Sequence, residues 1–188
     1  AKVQQDLKSL DEKPWGPVTP IVFSLDQGGA VQLAKLLDPG HTVRFDLDGD
    51  GRAELRPWVQ RDTCLLVWDP DGKGRITSGR QLFGSVTWWI FWNDGYHALD
   101  ALDDSRDGTL SGAELRGLAA WRDANANGVS DAGEVVPLEA LGIKGCHLYY
   151  RRRMMDIPVA AYKEGATVLE RAKTEDTRCK LMFHAMEK

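Results

Sequence analysis

The chain has 188 residues, enough to bury one full hydrophobic core. Its 43% hydrophobic and 28% charged residues are those of a globular protein, which excludes wholesale disorder, and no apolar run approaches the roughly 20 residues that a spanning helix needs. A formal net charge of -4 excludes a broad basic face for nucleic acid, so any acidic chemistry must come from where Asp clusters.

Residues 1–12 are polar and lack an apolar signal core, so a signal peptide is absent or already removed. Three prolines and a glycine surround Trp15 within residues 13–20, which predicts an extended N-terminal arm over 1–19 and one folded domain over 20–188. The runs 21–23, 42–45 and 64–68 are β-branched or aromatic and end at Asp-rich or Gly-rich turns, as strands feeding acidic loops do. Between the first two, residues 30–37 have helical spacing that Pro39-Gly40 stops.

Farther on, Trp88, Trp89, Phe91, Trp92, Tyr96, Ala98 and Leu99 recur at three and four residues, predicting one long buried helix over 86–102. Core packing is the simpler reading of that aromatic surface; a ligand groove is the alternative. A second helix is expected over 111–121 and a short third over 136–141, closed by Gly142. Residues 147–155 and 178–186 read as strands, with a turn at Glu164-Gly165 between them and Arg151, Arg152 and Arg153 on a solvated edge. Cys64, Cys146 and Cys179 lack the spacing of a thiolate metal site, leaving open one disulfide with a free thiol or three buried thiols.

The chemistry lies in the acidic loops. In the loop 123–134, Asp123, Asn125 and Asn127 bring oxygens to one point, and Gly128 lets the backbone turn beneath them. Val129 offers a carbonyl, Asp131 acts directly or through water, and Glu134 closes the shell with two oxygens. The loop 103–114 repeats the plan with Asp103, Ser105, Asp107, Thr109 and Glu114, and Leu110 at its eighth place is expected to pack towards the partner loop. Every donor is oxygen, so the implied cofactor is a hard cation, Ca2+. Twenty residues separate the two starts, leaving one helix to leave the first loop and enter the second. That compactness favours a structural metal over a sensor.

Upstream, Asp46, Asp48 and Asp50 repeat the first half of the same chemistry, but Pro57 stands where a closing glutamate belongs; the alternative is a tight acidic turn joining two strands. In the loop opening at Asp69, Lys73 occupies an oxygen position, so its ammonium is expected beside Asp69 and Asp71 in place of a metal.

The motif order Pro20-Ile-Val-Phe-Ser-Leu-Asp26, Val43-Arg-Phe-Asp-Leu-Asp-Gly-Asp-Gly51, Leu65-Leu-Val-Trp-Asp-Pro-Asp-Gly-Lys-Gly74, Gln81-Leu-Phe-Gly84, the two loops and Leu138-Glu-Ala-Leu-Gly-Ile143 resembles the EF-hand-type calcium-binding segment of large secreted bacterial proteins, including repeats-in-toxin proteins. The resemblance covers roughly residues 20–143 and implies calcium binding and export, with no catalytic reaction. The departures fall at Ser24, Gln27 and Gly29, which erode the first acidic turn, and at Lys73, Thr77 and Gln81. The expected fold is α+β: short hairpins over 20–84, packed on a helical pair of EF-hand-type loops over 85–143 that share one helix, then a strand and turn extension over 144–188. The expected function is a secreted or periplasmic calcium-binding module. The alternatives are an adhesion or interaction module using the tryptophans and a hydrolytic enzyme shaped by calcium, although His41, His97, His147 and His184 form no catalytic motif.

Overall fold

The computed structural model describes residues 18, 20–23, 25, 37–148 and 160–163. The expected arm, the helix over 30–37, the eroded turn at Ser24, Gln27 and Gly29, the arginine run and the strand over 178–186 lie outside the described residues, as does Cys179.

Among the described residues, nine strands form three antiparallel sheets. The central one orders β1 (Val22–Phe23), β4 (Cys64–Trp68), β6 (Leu118–Trp121) and β7 (Val135–Pro137). A hairpin pairs β2 (Leu37–Phe45) with β3 (Glu54–Val59), and a third sheet orders β5 (Thr109–Ser111), β8 (Ile143–His147) and β9 (Ala160–Lys163).

The continuous apolar run of β4 is explained by burial on both faces. Its side chains alternate, so Leu65 and Val67 enter one core while Cys64 and Leu66 enter another. β6 does the same: Ala119 and Trp121 face the first core and Leu118 and Ala120 the second. The first core is filled by the hairpin through Val43, Phe45, Trp58 and Val59, with the rings of Phe45, Trp58 and Trp121 packed 5.2 to 5.6 Å apart. The second core receives Phe83, Leu99, Leu110 and Leu138.

The α+β expectation with a helical pair is overturned. Among the described residues the one α-helix is α1 (Gly95–Asp100), capped by Asp94, which accepts from the N–H groups of Tyr96 and His97. The long helix expected over 86–102 gives way to a 3-10 turn at Thr87–Trp89, where Trp88 and Trp89 adopt positive φ. The Thr87 hydroxyl accepts from Gly84 N–H, and the edge-to-face set Trp68, Phe83, Trp88 and Trp92 supplies the packing that a helix face would have given.

The shared helix expected over 111–121 is likewise replaced, by a 3-10 turn at Gly112–Leu115 and then β6. Gly117 breaks it at φ +86, with the Trp68 ring so close that an added Cβ would lie 2.8 Å from it. Residues 118–121 then gain a partner strand and two cores, which outweighs the helical preference of two alanines and a leucine. The short helix expected over 136–141 divides into β7 and a 3-10 turn at Glu139–Leu141, closed by Gly142 in the left-handed region. Cys64 and Cys146 are buried.

Candidate metal centre

Among the described residues four acidic loops leave strand or helix ends, and three of them share one internal geometry. In the loop 103–114 the first carboxylate accepts from the N–H groups of the fifth and sixth residues, Asp107 at 3.3 Å and Gly108 at 2.9 Å. In the loop 123–134 Asp123 accepts from Asn127 at 3.1 Å and Gly128 at 2.7 Å. At Asp69 the same carboxylate accepts from Lys73 at 3.1 Å and Gly74 at 2.8 Å. Positive φ at Gly108, Gly128 and Gly74 turns each chain beneath its first aspartate.

The two full-length loops match further. Thr109 N–H donates to the Asp107 carboxylate, as Val129 N–H donates to the Asn127 carbonyl. The closing glutamates reach back across their loops: Glu114 accepts from Ser105 and Ser111 N–H, and Glu134 from Ala124 and Asp131 N–H. Ser105 Oγ donates to Asp103, and the amides of Asn125 and Asn127 both donate to Asp131. The structure therefore brings Asp103, Ser105, Asp107, Thr109 and Glu114 into one loop, and Asp123, Asn125, Asn127, Val129, Asp131 and Glu134 into another.

These contacts set the electrostatics. Desolvation pushes the Asp103 carboxyl up, but the Gly108 N–H, the Ser105 hydroxyl and the N–H groups of Arg106 and Asp107 outweigh it and hold the group below its ordinary range. Backbone N–H groups of Ser111 and Ser105 lower Glu114 likewise. Every candidate donor is an oxygen, which suits a hard divalent cation.

Sequence reasoning missed how the loops are anchored. The buried Asp123 accepts from the indole N–H of Trp58, in β3, at 2.6 Å, a link across 65 positions that no local pattern announces. His41 Nε2 bonds the Ala126 carbonyl, and Gly128 packs against Val43, so the hairpin grips this loop from one side. Leu110 does not meet the partner loop; it pairs with Cys146 in β8. The partner of the second loop is instead the one at Asp69, through Ser130 Oγ, which accepts from Ile76 N–H at 2.8 Å.

Lys73 Nζ lies 2.7 Å from Asp71, raised by that hydrogen bond while Asp71 is lowered by it, so an ammonium stands among the oxygens of that loop. Asp46, Asp48 and Asp50 join β2 to β3, and their carboxylates each offer an oxygen within 4.8 Å of the others. No helix among the described residues is long and apolar enough to cross a membrane.

The comparisons with known proteins change the family first read from the motifs. The iron-regulated protein FrpA of Neisseria meningitidis serogroup C is 35% identical over 137 residues, which are 70% of this chain and 12% of that protein. The chain therefore spans a small part of that relative's length. This similarity and the sheet-built scaffold replace the resemblance to EF-hand-type and repeats-in-toxin-related segments: the acidic loops are present, but among the described residues neither is flanked by the pair of helices that defines an EF-hand. The family model of the SPM domain matches residues 21–182, and the chain belongs to that family.

Proposed function

We propose that this chain is a calcium-binding module, secreted or periplasmic, in which Ca2+ closes the loops 103–114 and 123–134 and stabilises the fold rather than switching it. The observation that carries this reading is their common geometry: a first aspartate tied to the fifth and sixth N–H groups, and a closing glutamate that spans the loop. Asp103, Ser105, Asp107, the Thr109 carbonyl and Glu114 would hold one ion. Asp123, Asn125, Asn127, the Val129 carbonyl, Asp131 and Glu134 would hold the other. When bound, the ion supplies positive charge among clustered carboxylates; Trp58, His41 and Ser130 keep the second loop in place against the core and its neighbour.

The scaffold supports a structural role. The loops run directly into strands and 3-10 turns, so the hinged helix pair of a sensor has no counterpart among the described residues. At free calcium about one hundred times the dissociation constant, each site would add roughly 2.7 kcal/mol. Thermal melting with calcium and with excess chelator tests the reading, and identical midpoints refute it. Titration of Glu114→Ala and Glu134→Ala should each remove one equivalent.

A second reading, an interaction module, draws on Trp89, Ile90 and Phe91, which are 44%, 49% and 60% exposed at one tip. It predicts that Phe91→Ser leaves calcium titration unchanged but abolishes adhesion to a glycan-coated surface; unchanged adhesion rejects it.

A further inference from the structure

The turn over 84–92, ahead of α1, holds backbone strain while pointing apolar side chains outward. Trp88 and Trp89 both lie in the left-handed region, at φ 56 and 62, where bulky residues are rarely held. The turn is closed at its base: Trp89 N–H donates to the Val86 carbonyl at 2.9 Å, Trp92 N–H to the Ser85 carbonyl at 2.9 Å, and the Trp92 indole N–H to the Thr87 carbonyl at 3.1 Å. Trp88 turns inward, its ring centre 5.5 Å from that of Trp68 and 5.7 Å from that of Phe83. Trp89, Ile90 and Phe91 are left exposed in succession. An ordered base therefore fixes that exposure.

A cation accompanies this apolar tip. Arg80 is exposed, and its guanidinium lies 3.9 Å from the centre of the Trp89 ring. Its Nε donates to the Gly49 carbonyl at 2.7 Å, so the charge is held where the hairpin loop and the tip join. Apolar side chains on a turn with a cation at their foot match the two layers of a membrane surface. The hydrocarbon boundary takes Trp89, Ile90 and Phe91, and lipid phosphate meets Arg80. A glycan fits less well. A sugar stacks flat on an open ring face, but Arg80 covers one face of Trp89, and Phe91 is tilted 54° to that ring at 5.5 Å, so the two rings share no platform. Consecutive exposure on a tight turn also makes a projection, not the groove that a peptide helix needs.

We propose that residues 89–91 dock this chain on a phospholipid surface, with the three apolar side chains entering the interfacial layer and Arg80 pairing with a lipid phosphate. The proposal rests on the interaction reading of the same tip, whose partner it names, and shares no residue with the loops 103–114 and 123–134. Three side chains bury little area, so the attachment is reversible and each of them contributes measurably.

Co-sedimentation of the full chain, in calcium chloride, with vesicles of phosphatidylcholine and phosphatidylglycerol tests this docking. Wild type should pellet with the lipid. Ile90→Ser/Phe91→Ser should keep the wild-type melting midpoint, because both side chains are exposed, and should bind at least about tenfold more weakly. Arg80→Met should bind about fivefold more weakly. Lipids brominated on their acyl chains should quench wild-type fluorescence more than that of Trp89→Phe, a difference that a merely structural tip would not produce. Equal pelleting of wild type and Ile90→Ser/Phe91→Ser, or equal quenching of wild type and Trp89→Phe, overturns lipid docking; unchanged binding of Arg80→Met overturns the phosphate pairing. Retention of wild type on glycan-coated beads without pelleting on vesicles overturns lipid docking and leaves the interaction reading standing, whereas retention on neither refutes both.

Discussion

Two buried tryptophans of the first core offer a controlled test of how the fold holds the loop 123–134. Trp58 and Trp121 are 1% and 0% exposed, and their rings pack against each other at 5.6 Å. Trp58 donates its indole N–H to Asp123, whereas the indole nitrogen of Trp121 is buried with no partner among the described residues. Replacing either by Phe removes similar ring volume and leaves a similar gap, so the packing losses largely cancel in the difference. What remains is the hydrogen bond. Trp58→Phe deletes a bond to a charged group, which costs about 1.5–3 kcal/mol. Trp121→Phe instead removes an unsatisfied donor and recovers about 1–3 kcal/mol of desolvation, offsetting its lost packing. Urea unfolding in chelator should therefore place Trp58→Phe about 2.5–6 kcal/mol below Trp121→Phe. In calcium, Trp58→Phe should also weaken binding at this loop by roughly 10–100-fold, as losses of outer-shell partners do, while Trp121→Phe leaves affinity unchanged. Equal destabilisation by the two substitutions would refute the assigned role of the Trp58–Asp123 bond.

The loop glycines divide in the same way. Gly108→Ala meets only positive φ, an expected loss of about 1–2 kcal/mol, whereas at Gly128 an added Cβ would also lie 2.7 Å from Val43, and about 1–3 kcal/mol more should appear in thermal unfolding. Lys73→Met breaks an ion pair exposed on both sides, so its melting midpoint should stay near wild type at any salt concentration; a large loss would mean that the ammonium holds the Asp69 loop together. Burial pushes the Cys146 thiol from 9.0 up to about 11, so the folded state keeps its proton where the unfolded chain gives it up. The sign is a stability loss as pH rises between those values, absent in Cys146→Ala, and mass-mapped alkylation at pH 8 should spare Cys146 in the native protein.

The acidic loops were legible because their geometry is local. Asp103 and Asp123 each bond residues four and five positions on, and Gly108 and Gly128 are needed at fixed places, so twelve consecutive letters carry most of the pattern. The strand runs at 21–23, 42–45 and 64–68 were legible for a related reason, since β-branched and aromatic residues there lie in β1, β2 and β4 or directly beside them. Residues 118–121 were not. Leu-Ala-Ala-Trp has helical composition, and only β4 beside it and a core on each face make it a strand. The 86–102 run misled similarly, because three- and four-residue aromatic spacing also serves an irregular turn whose rings stack edge to face.

That division between local and long-range information explains how a loop pattern can stay readable while its family is misread. A helix on either side of an acidic loop is one means of fixing the two ends; here β6 and β7 fix them for the loop 123–134, pairing Trp121 with Val135 and Ala119 with Pro137. Arg122 N–H also accepts no freedom to drift, since it donates to the Glu134 carbonyl at 2.9 Å and ties the residue before the loop to its last. A hairpin held by such a ladder presents the same donors as a helix pair but would not splay if, as proposed, an ion bound. Its ends are already hydrogen-bonded to each other, so ion binding can tighten the loop and raise stability without moving one element past another.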